Sequence, residues 1–214
     1  MCKLTRSAFF CLACMAAVSS AKASILFSIG SVIAMPGDVN DAVDVLITNL
    51  GPDPVDVSGF TFEITASSAG VTLESATTQT IAPYIFAGNS FVENVFGTST
   101  ISFSSPGQTL DASDSAFASN SASTIAANQT LGLGRLFFDV DPADTVGNPS
   151  LDFNSANSNL SNGLGNPLAI DTFNSGTIEV VPEPRTGIEM VFALAAIGVY
   201  VRRRAFRYPE APPE

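Results

Sequence analysis

The sequence has no histidine and no tryptophan, and its three cysteines, Cys2, Cys11 and Cys14, all lie close to the N-terminus. If that segment is removed, zinc sites of the usual cysteine and histidine type are impossible. Nucleophilic catalysis by a Ser-His-Asp or a Cys-His arrangement is impossible for the same reason. No remaining ordinary side chain acts as a general base near neutral pH without a large shift of its pKa. The composition therefore argues against an enzyme.

Basic side chains are also nearly absent from the middle of the chain. Residues 24–181 contain sixteen acidic residues and one basic residue, Arg135, so this region has a formal charge of −15, against −11 for the whole chain. Such a surface repels nucleic acid phosphates and anionic lipids, which argues against nucleic acid as a partner. It keeps an exported protein soluble, and it also suits a protein that meets divalent cations.

The first 23 residues have the organisation of a secretory signal peptide. Lys3 and Arg6 supply the positive start, and the apolar run over residues 7–18 that follows them is too short to span a bilayer. Ala21 and Ala23 place small side chains at the two positions that a signal peptidase reads. We predict export through the Sec translocon and cleavage by signal peptidase after Ala23.

Lipoprotein processing at Cys14 is an alternative for the same segment. Ala13 provides the small residue that such processing needs before the cysteine. However, Cys11 stands where a leucine-like residue is expected, and the apolar run continues beyond Cys14. Cleavage after Ala23 is therefore the favoured interpretation.

The region from 24 to 181 is rich in Ser, Thr, Asn, Val, Ile and Phe, a composition that favours short strands over helices. Apolar and polar residues alternate in several segments, as in half-buried strands, and turn residues such as Ser105-Pro106-Gly107 separate them. We predict a single all-β domain, a β-sandwich or jelly roll. The residues expected on buried strand faces are Val43, Val45 and Ile47, then Phe60, Phe62 and Ile64, then Val71 and Leu73, then Ile101 and Phe103.

Other segments of this domain are less regular. Apolar residues occur on both faces of residues 131–140, which predicts a strand buried on both sides. The stretch Ala112–Ala127 is either a polar loop or a frayed edge strand. We predict that Asn148–Asn166 is a loop with one strand at Leu151–Phe153, and that the last strand covers residues 177–181.

Three segments carry a resemblance to a known family. Gly37-Asp38 leads into a Val-rich strand, Val57–Ile64 contains a Gly-Phe-x-Phe pattern, and Gly134–Val140 is a late aromatic strand. This order resembles the cohesin-like domains of bacterial surface proteins over the larger part of the domain. The resemblance implies a cohesin-like sandwich. Cohesins proper bind dockerin modules, but no segment of this sequence identifies a dockerin-binding face.

Acidic residues cluster at Asp38–Asp44 and again at Asp139–Asp144. Carboxylates are suitable ligands for calcium, a hard cation, although neither cluster has the glycine and terminal glutamate of an EF-hand loop. Calcium is the one possible cofactor that the sequence suggests. The alternative is that these residues keep the surface soluble or cap turns. The candidate ligands are Asp38, Asp41, Asp139 and Asp141.

Sugar binding is a further possibility. Tyr84 and Phe86 could stack on a sugar ring, or they could belong to the core. A pair of carboxylates such as Glu63 and Glu74 could in principle hydrolyse a glycosidic bond, but the absence of tryptophan platforms argues against a sugar-cleaving enzyme. A calcium- or glycan-binding module is therefore the second function hypothesis.

The end of the chain has a proline-containing spacer, an apolar segment and a basic cluster, in that order. The two prolines stop the last strand, because proline lacks the ladder donor. Residues 187–201 are predicted to form a transmembrane helix, which flanking arginines extend towards the ~30 Å of a bilayer core. The arginines should stay in the cytoplasm, followed by a short tail over 208–214. The spacer motif is Val181, Pro182, Glu183 and Pro184, and the basic cluster is Arg202, Arg203, Arg204 and Arg207.

Residues 182–207 closely resemble the PEP-CTERM sorting signal of Gram-negative bacteria. The resemblance implies recognition by exosortase, a membrane cysteine protease or transpeptidase, and cleavage near Pro182-Glu183-Pro184. Proteins of this family are associated with extracellular polysaccharide and biofilm matrix. We therefore predict an exported protein that is anchored in the inner membrane before processing. It would then act at the cell surface or in the extracellular matrix, in a structural or adhesive role.

Overall fold

A computed structural model describes residues 24–118, 122–143 and 147–182 of the chain. Their regular structure is β, apart from one π-helical turn at Val92–Phe96, so the prediction of an all-β domain is confirmed. The strands are β1 Ile25–Ile29, β2 Val32–Ala34, β3 Asp41–Asn49, β4 Val55–Val57, β5 Gly59–Ala66, β6 Val71–Thr77, β7 Thr109–Ser115, β8 Ser123–Ile125, β9 Thr130–Val140, β10 Ser150–Phe153, β11 Asn159–Ser161, β12 Pro167–Leu168, β13 Thr172–Asn174 and β14 Gly176–Val180.

The strands form two large sheets and one small one. The first sheet has the order β13-β1-β3-β9-β6, and the second has the order β12-β11-β5-β10-β14-β2, with β7 on the other side of β5. Strands β4 and β8 form the third sheet. Side chains from both large sheets meet in one core; for example, the rings of Phe27 on β1 and Phe153 on β10 lie 5.9 Å apart. The domain is therefore a sandwich, as predicted.

The core follows from the alternation seen in the sequence. Every second residue of β3 and of β5 is buried, so the predicted inward faces of these strands are confirmed. Phe27, Phe62, Phe86 and Phe138 are among the largest side chains without exposed surface. Each phenylalanine that is fully buried stabilises the fold by roughly 1.5–3 kcal/mol.

Strand β9 lies at the centre of the first sheet, between β3 and β6. The prediction of burial on both faces holds only for residues 131–134, because the following outward side chains are half-buried. The register shifts opposite Val45 and Leu46, which is a β-bulge. On the half-buried face, the guanidinium Nε of Arg135 donates a hydrogen bond of 2.8 Å to Asp44.

The irregular segments differ in part from expectation. Ile101 and Phe103 do not form a strand: they flank an isolated bridge at Ser102, with Ile101 buried and Phe103 66% exposed. For Ala112–Ala127, the first part agrees with the edge-strand alternative and not with a loop: it begins inside β7, which pairs with β5 along its whole length. In the segment 148–166 the expected strand is present as β10, and β11 is an additional strand.

The last strand, β14, ends at Val180, one residue before the predicted end. The backbone N–H of Val181 still donates to the carbonyl of Ala34, at 2.9 Å. The predicted signal peptide, transmembrane helix, arginine cluster and cytoplasmic tail lie outside the described residues. Within the described ranges, no helix has the length and apolar character needed to cross a membrane.

Candidate functional site

An open groove of about 610 Å³ lies over one end of the second sheet. Its base is built from three consecutive residues of each of three neighbouring strands, β7, β5 and β11, which the antiparallel register places side by side. The middle residue of each triplet points into the core. The first and third residues of the triplets face the groove and form what we call the groove floor: Gly59, Thr61, Ser113, Ser115, Asn159 and Ser161.

Phenylalanine side chains line the groove. We call Phe91, Phe96 and Phe103 the groove wall. They are 38%, 62% and 66% exposed, and the rings of Phe91 and Phe96 meet edge to face at 5.8 Å. Phe117, 52% exposed, extends this cluster beyond the groove. Aromatic rings grouped in a concave surface are typical of ligand sites, whereas single exposed apolar residues need no explanation.

A buried carboxylate on β7 helps to position two residues of the wall, Phe91 and Phe96. Asp114 is 6% exposed; one of its oxygens accepts a hydrogen bond of 2.7 Å from the Tyr84 hydroxyl, and the other accepts one of 3.1 Å from the backbone N–H of Val92. Burial, together with the nearby Asp114 carboxylate, raises the pKa of Tyr84 far above its ordinary value. The hydroxyl of Thr78 also donates to Glu93 in the π-helical turn. These bonds fix the turn that carries Phe91 and Phe96.

The groove floor presents neutral hydrogen-bonding groups. No hydrogen bond joins the side chains of Thr61, Ser113 and Asn159 to any other residue that the structure describes. The hydroxyl of Ser161 lies 3.3 Å from the carbonyl of Gly59. A Cβ on Gly59 would lie 3.1 Å from that same hydroxyl, so glycine lets the strands approach closely and keeps the floor low.

Charged groups begin one pleat beyond the groove floor. Glu63 on β5 stands directly opposite Asp111 on β7. Hydrogen bonds from the amides of Asn154 and Asn157 lower the pKa of Glu63, since they favour its ionised form. Partial burial and the neighbouring Glu63 raise the pKa of Asp111. Exposed carboxylates therefore lie beside the groove, and the one carboxylate that lines it, Asp114, is buried.

Of the two alternatives that the sequence left open for Tyr84 and Phe86, the structure supports the core. Tyr84 is 8% exposed and Phe86 has no exposed surface, so neither is available for sugar stacking. Alternation could not identify the exposed rings, because Phe91 and Phe96 lie on a helical turn and Phe103 lies in irregular backbone. The signal that was present is a high density of phenylalanine in residues 86–103 without strand periodicity.

The candidate calcium ligands come together at one end of the first sheet, where β3 begins and β9 ends. Three of the carboxylates each accept a hydrogen bond from a backbone N–H group: Asp38 from Met35, Asp139 from Asn40, and Asp141 from Ala143. Partial burial, followed by the charge of Asp38, raises the pKa of Asp41. Within residues 24–118, 122–143 and 147–182, no three acidic side chains form a group suited to a metal ion. Calcium binding stays a prediction.

The predicted cleavage motif is described only at its start. Val181 is half-buried and bonded to β2, whereas Pro182 is exposed. Glu183 and Pro184 lie outside the described residues, as do Ala21, Ala23 and the four arginines. The boundary between the folded domain and the predicted motif therefore falls at Val181.

No protein-family model matches the sequence, and no curated protein matches it. Solved structures of cohesins do match the fold. The seventh ScaB type I cohesin of Pseudobacteroides cellulosolvens is 14% identical, with a TM-score of 0.55 over 75% of this chain and 94% of that one. The third ScaC cohesin of Acetivibrio cellulolyticus, solved in complex with the ScaB dockerin, is 18% identical, with a TM-score of 0.55 over 73% and 99%.

A non-cellulosomal cohesin of the archaeon Archaeoglobus fulgidus is 13% identical, with a TM-score of 0.51 over 78% of this chain and 97% of that chain. These similarities support a cohesin-like β-sandwich, as the order of the sequence segments predicted. At such low identity they concern the fold alone.

Proposed function

We propose that this chain is an exported bacterial surface or matrix protein whose sandwich is an adhesive, non-catalytic binding module. The observation that carries the proposal is the aromatic groove on a cohesin-like fold: a concave surface with exposed phenylalanines and unpaired neutral polar groups. Such a surface binds another molecule at lower entropic cost when its wall is already fixed, and the bonds to Asp114 fix the turn that carries Phe91 and Phe96.

The fold is compatible with this role. One matching cohesin was solved bound to a dockerin, so this type of sandwich can serve as a docking module in other proteins. A catalytic role has little support, because the described residues contain no histidine and no cysteine.

The sorting part of the proposal rests on the C-terminal sequence. A spacer with Pro182, Glu183 and Pro184 follows the last strand directly, and an apolar run and an arginine cluster follow the spacer. Exosortase would cleave at the spacer and release the sandwich from the inner membrane to the cell surface or matrix. The spacer begins where the domain ends, so a protease could reach it without unfolding β14.

Sorting can be tested with the full-length chain in an exosortase-bearing host. Changing Pro182, Glu183 and Pro184 to alanine should leave an unprocessed form in the membrane fraction. The matched control is the exposed Pro52-Asp53-Pro54 turn, changed to alanines in the same way; that variant should be processed like the wild type. Equal processing of both variants would refute exosortase sorting through this motif.

Adhesion can be tested in the same cells. Cells that produce the wild-type chain should retain more matrix polysaccharide than cells that lack it. Cells that produce a correctly sorted Phe96→Ala, Phe103→Ala variant should resemble the cells that lack the chain. Retention that does not depend on the chain at all would contradict the adhesive role.

A further inference from the structure

We propose that the aromatic groove binds a neutral polysaccharide, with sugar rings stacked against the groove wall and their hydroxyls bonded to the groove floor. This inference rests on the proposed adhesive function and names the class of molecule that the module holds. It places the site on Phe91, Phe96 and Phe103, and not on the buried Tyr84 and Phe86.

The groove wall supplies the apolar part of the site. A sugar ring has apolar C–H faces, which can stack on an aromatic ring, and a polar edge, whose hydroxyls need hydrogen-bond partners when they leave water. Phe96 and Phe103 are more than half exposed, and both line the same groove. Their exposed rings lose contact with water when a ligand covers them, which favours binding by roughly 25 cal/mol per Å².

The groove floor supplies the polar part. The hydroxyls of Thr61 and Ser113 and the amide of Asn159 can each donate and accept hydrogen bonds. None is used within the described part of the chain, so each can pair with a sugar hydroxyl without breaking an internal bond. Adjacent strands are about 4.8 Å apart, so the three-strand floor is about 10 Å wide.

The charge distribution selects a neutral ligand. The groove floor and groove wall contain no charged side chain, and the one carboxylate that lines the groove, Asp114, is buried and bonded to Tyr84. Glu63 and Asp111 stand one pleat away and would repel a uronic acid polymer. The only cation of the described residues, Arg135, is held by Asp44 and cannot offset this repulsion.

The same charges disfavour the other candidate occupants. A second copy of the chain would bring two regions of −15 together. A basic protein segment would be attracted to the surface as a whole, but it would find no exposed carboxylate on the groove floor. A neutral chain of hydroxylated rings fits both the apolar wall and the uncharged floor.

Isothermal titration calorimetry on the full-length chain tests the proposal. The protein is kept in a detergent without a sugar headgroup and titrated with cellohexaose, xylohexaose and mannohexaose, and with hexagalacturonate as the anionic counterpart. At least one neutral hexasaccharide should bind, and hexagalacturonate should bind at least ten-fold more weakly. The Phe96→Ala and Phe103→Ala variants should each lose about ten-fold in affinity, as aromatic anchors in interfaces do.

Ile33→Ala is the matched control. Ile33 is 64% exposed, like the two phenylalanines, but it lies on β2 at the far edge of the same sheet. This variant should bind as the wild type does. Thr61→Val keeps the shape of the side chain, removes the hydroxyl, and should weaken binding several-fold.

Three results would overturn the proposal: no neutral hexasaccharide binds at millimolar concentration, hexagalacturonate binds as tightly as the neutral ligands, or Phe96→Ala and Ile33→Ala bind equally. Capture of a basic protein through the groove, without saccharide binding, would also overturn it.

A chain that is sorted and adhesive in cells but binds no neutral saccharide refutes this inference alone. A chain that binds saccharide but is neither sorted nor adhesive refutes the proposed function alone.

Discussion

Two aromatic clusters lie side by side in this molecule, and the segment from Tyr84 to Phe96 contributes to both. In the buried cluster, the ring of Phe86 stacks on Phe60 at 5.8 Å and meets Tyr84 edge-on at 6.2 Å. In the exposed cluster, Phe91 contacts Phe96 and Phe117. Phenylalanine is thus buried in the core on one side of Asp114 and exposed to solvent on the other. A count of aromatic residues cannot separate these roles; their placement does.

The buried cluster should determine stability. Phe86→Ala removes a side chain without exposed surface and leaves a cavity beside Phe60. We expect the free energy of unfolding to fall by about 3–5 kcal/mol, measured by urea denaturation followed by circular dichroism. A loss below about 1 kcal/mol would mean that this cluster is not part of a close-packed core, and the contrast between the clusters would fail.

Loss of the hydrogen bond from Tyr84 to Asp114, which lies between the two clusters, should have an intermediate effect on stability. Tyr84→Phe keeps the ring and removes the hydroxyl, which leaves one oxygen of the buried Asp114 without its donor. We expect a loss of about 1–3 kcal/mol of unfolding free energy. Because Asp114 also receives the N–H of Val92, saccharide affinity should fall as the wall loosens. Unchanged stability would show that Asp114 is not the link between the clusters.

Alkaline pH should lower the stability that depends on the hydrogen bond from Tyr84 to Asp114. Tyr84 is the only tyrosine of the described residues, which contain no lysine and no cysteine, and its pKa in the folded state is raised. An unfolded tyrosine ionises near pH ~10, so above that pH the unfolded chain binds fewer protons than the folded chain. The contribution of Tyr84 to the free energy of unfolding is therefore fully present below pH ~10. Above that pH, the free energy of unfolding should fall by about 1.4 kcal/mol per pH unit.

The control for this pH dependence is Tyr84→Phe, whose unfolding free energy should stay level between pH ~10 and pH ~11. Denaturation curves at three pH values across this interval are sufficient. If the wild type and the variant lost stability in parallel, another group would be responsible.

The exposed cluster should contribute least to stability. Phe96→Ala removes a ring that is 62% exposed, and substitutions at such positions usually change the unfolding free energy by no more than about 0.5 kcal/mol. Urea denaturation of this variant beside Phe86→Ala would give the contrast directly. A loss above about 2 kcal/mol would assign Phe96 to the core.

The sequence predicts the sandwich better than it predicts the groove. Strands β3 and β5 were identified because one of their faces is buried, and burial imposes the period-two pattern on Val43, Val45 and Ile47 and on the facing phenylalanines. The resemblance to cohesin-like domains also rests on the order of such strand segments in the sequence. β11 was missed because a strand of three residues with polar ends is too short to display a period.

The groove could not be predicted because its parts are joined by register and not by sequence. Thr61, Ser113 and Asn159 are far apart in the chain and form one row only because β5 pairs with β7 and β11. Two residues of the wall, Phe91 and Phe96, lie on a π-helical turn that no periodicity indicates, and Phe103 lies in irregular backbone. Tyr84 and Phe86 were candidates because they are aromatic near a turn, but the hydrogen bond to Asp114 and the stacking on Phe60 hold them inside.

The most direct test of the account is the affinity of the Phe96→Ala, Phe103→Ala double variant for the neutral hexasaccharide that the wild type binds. Calorimetry should be done where the urea curve of the variant shows it to be folded. The account predicts that the affinity falls more than ten-fold while the free energy of unfolding stays within about 1 kcal/mol of the wild type. Unchanged affinity in the folded variant would contradict it, because the exposed cluster would then not be a binding surface.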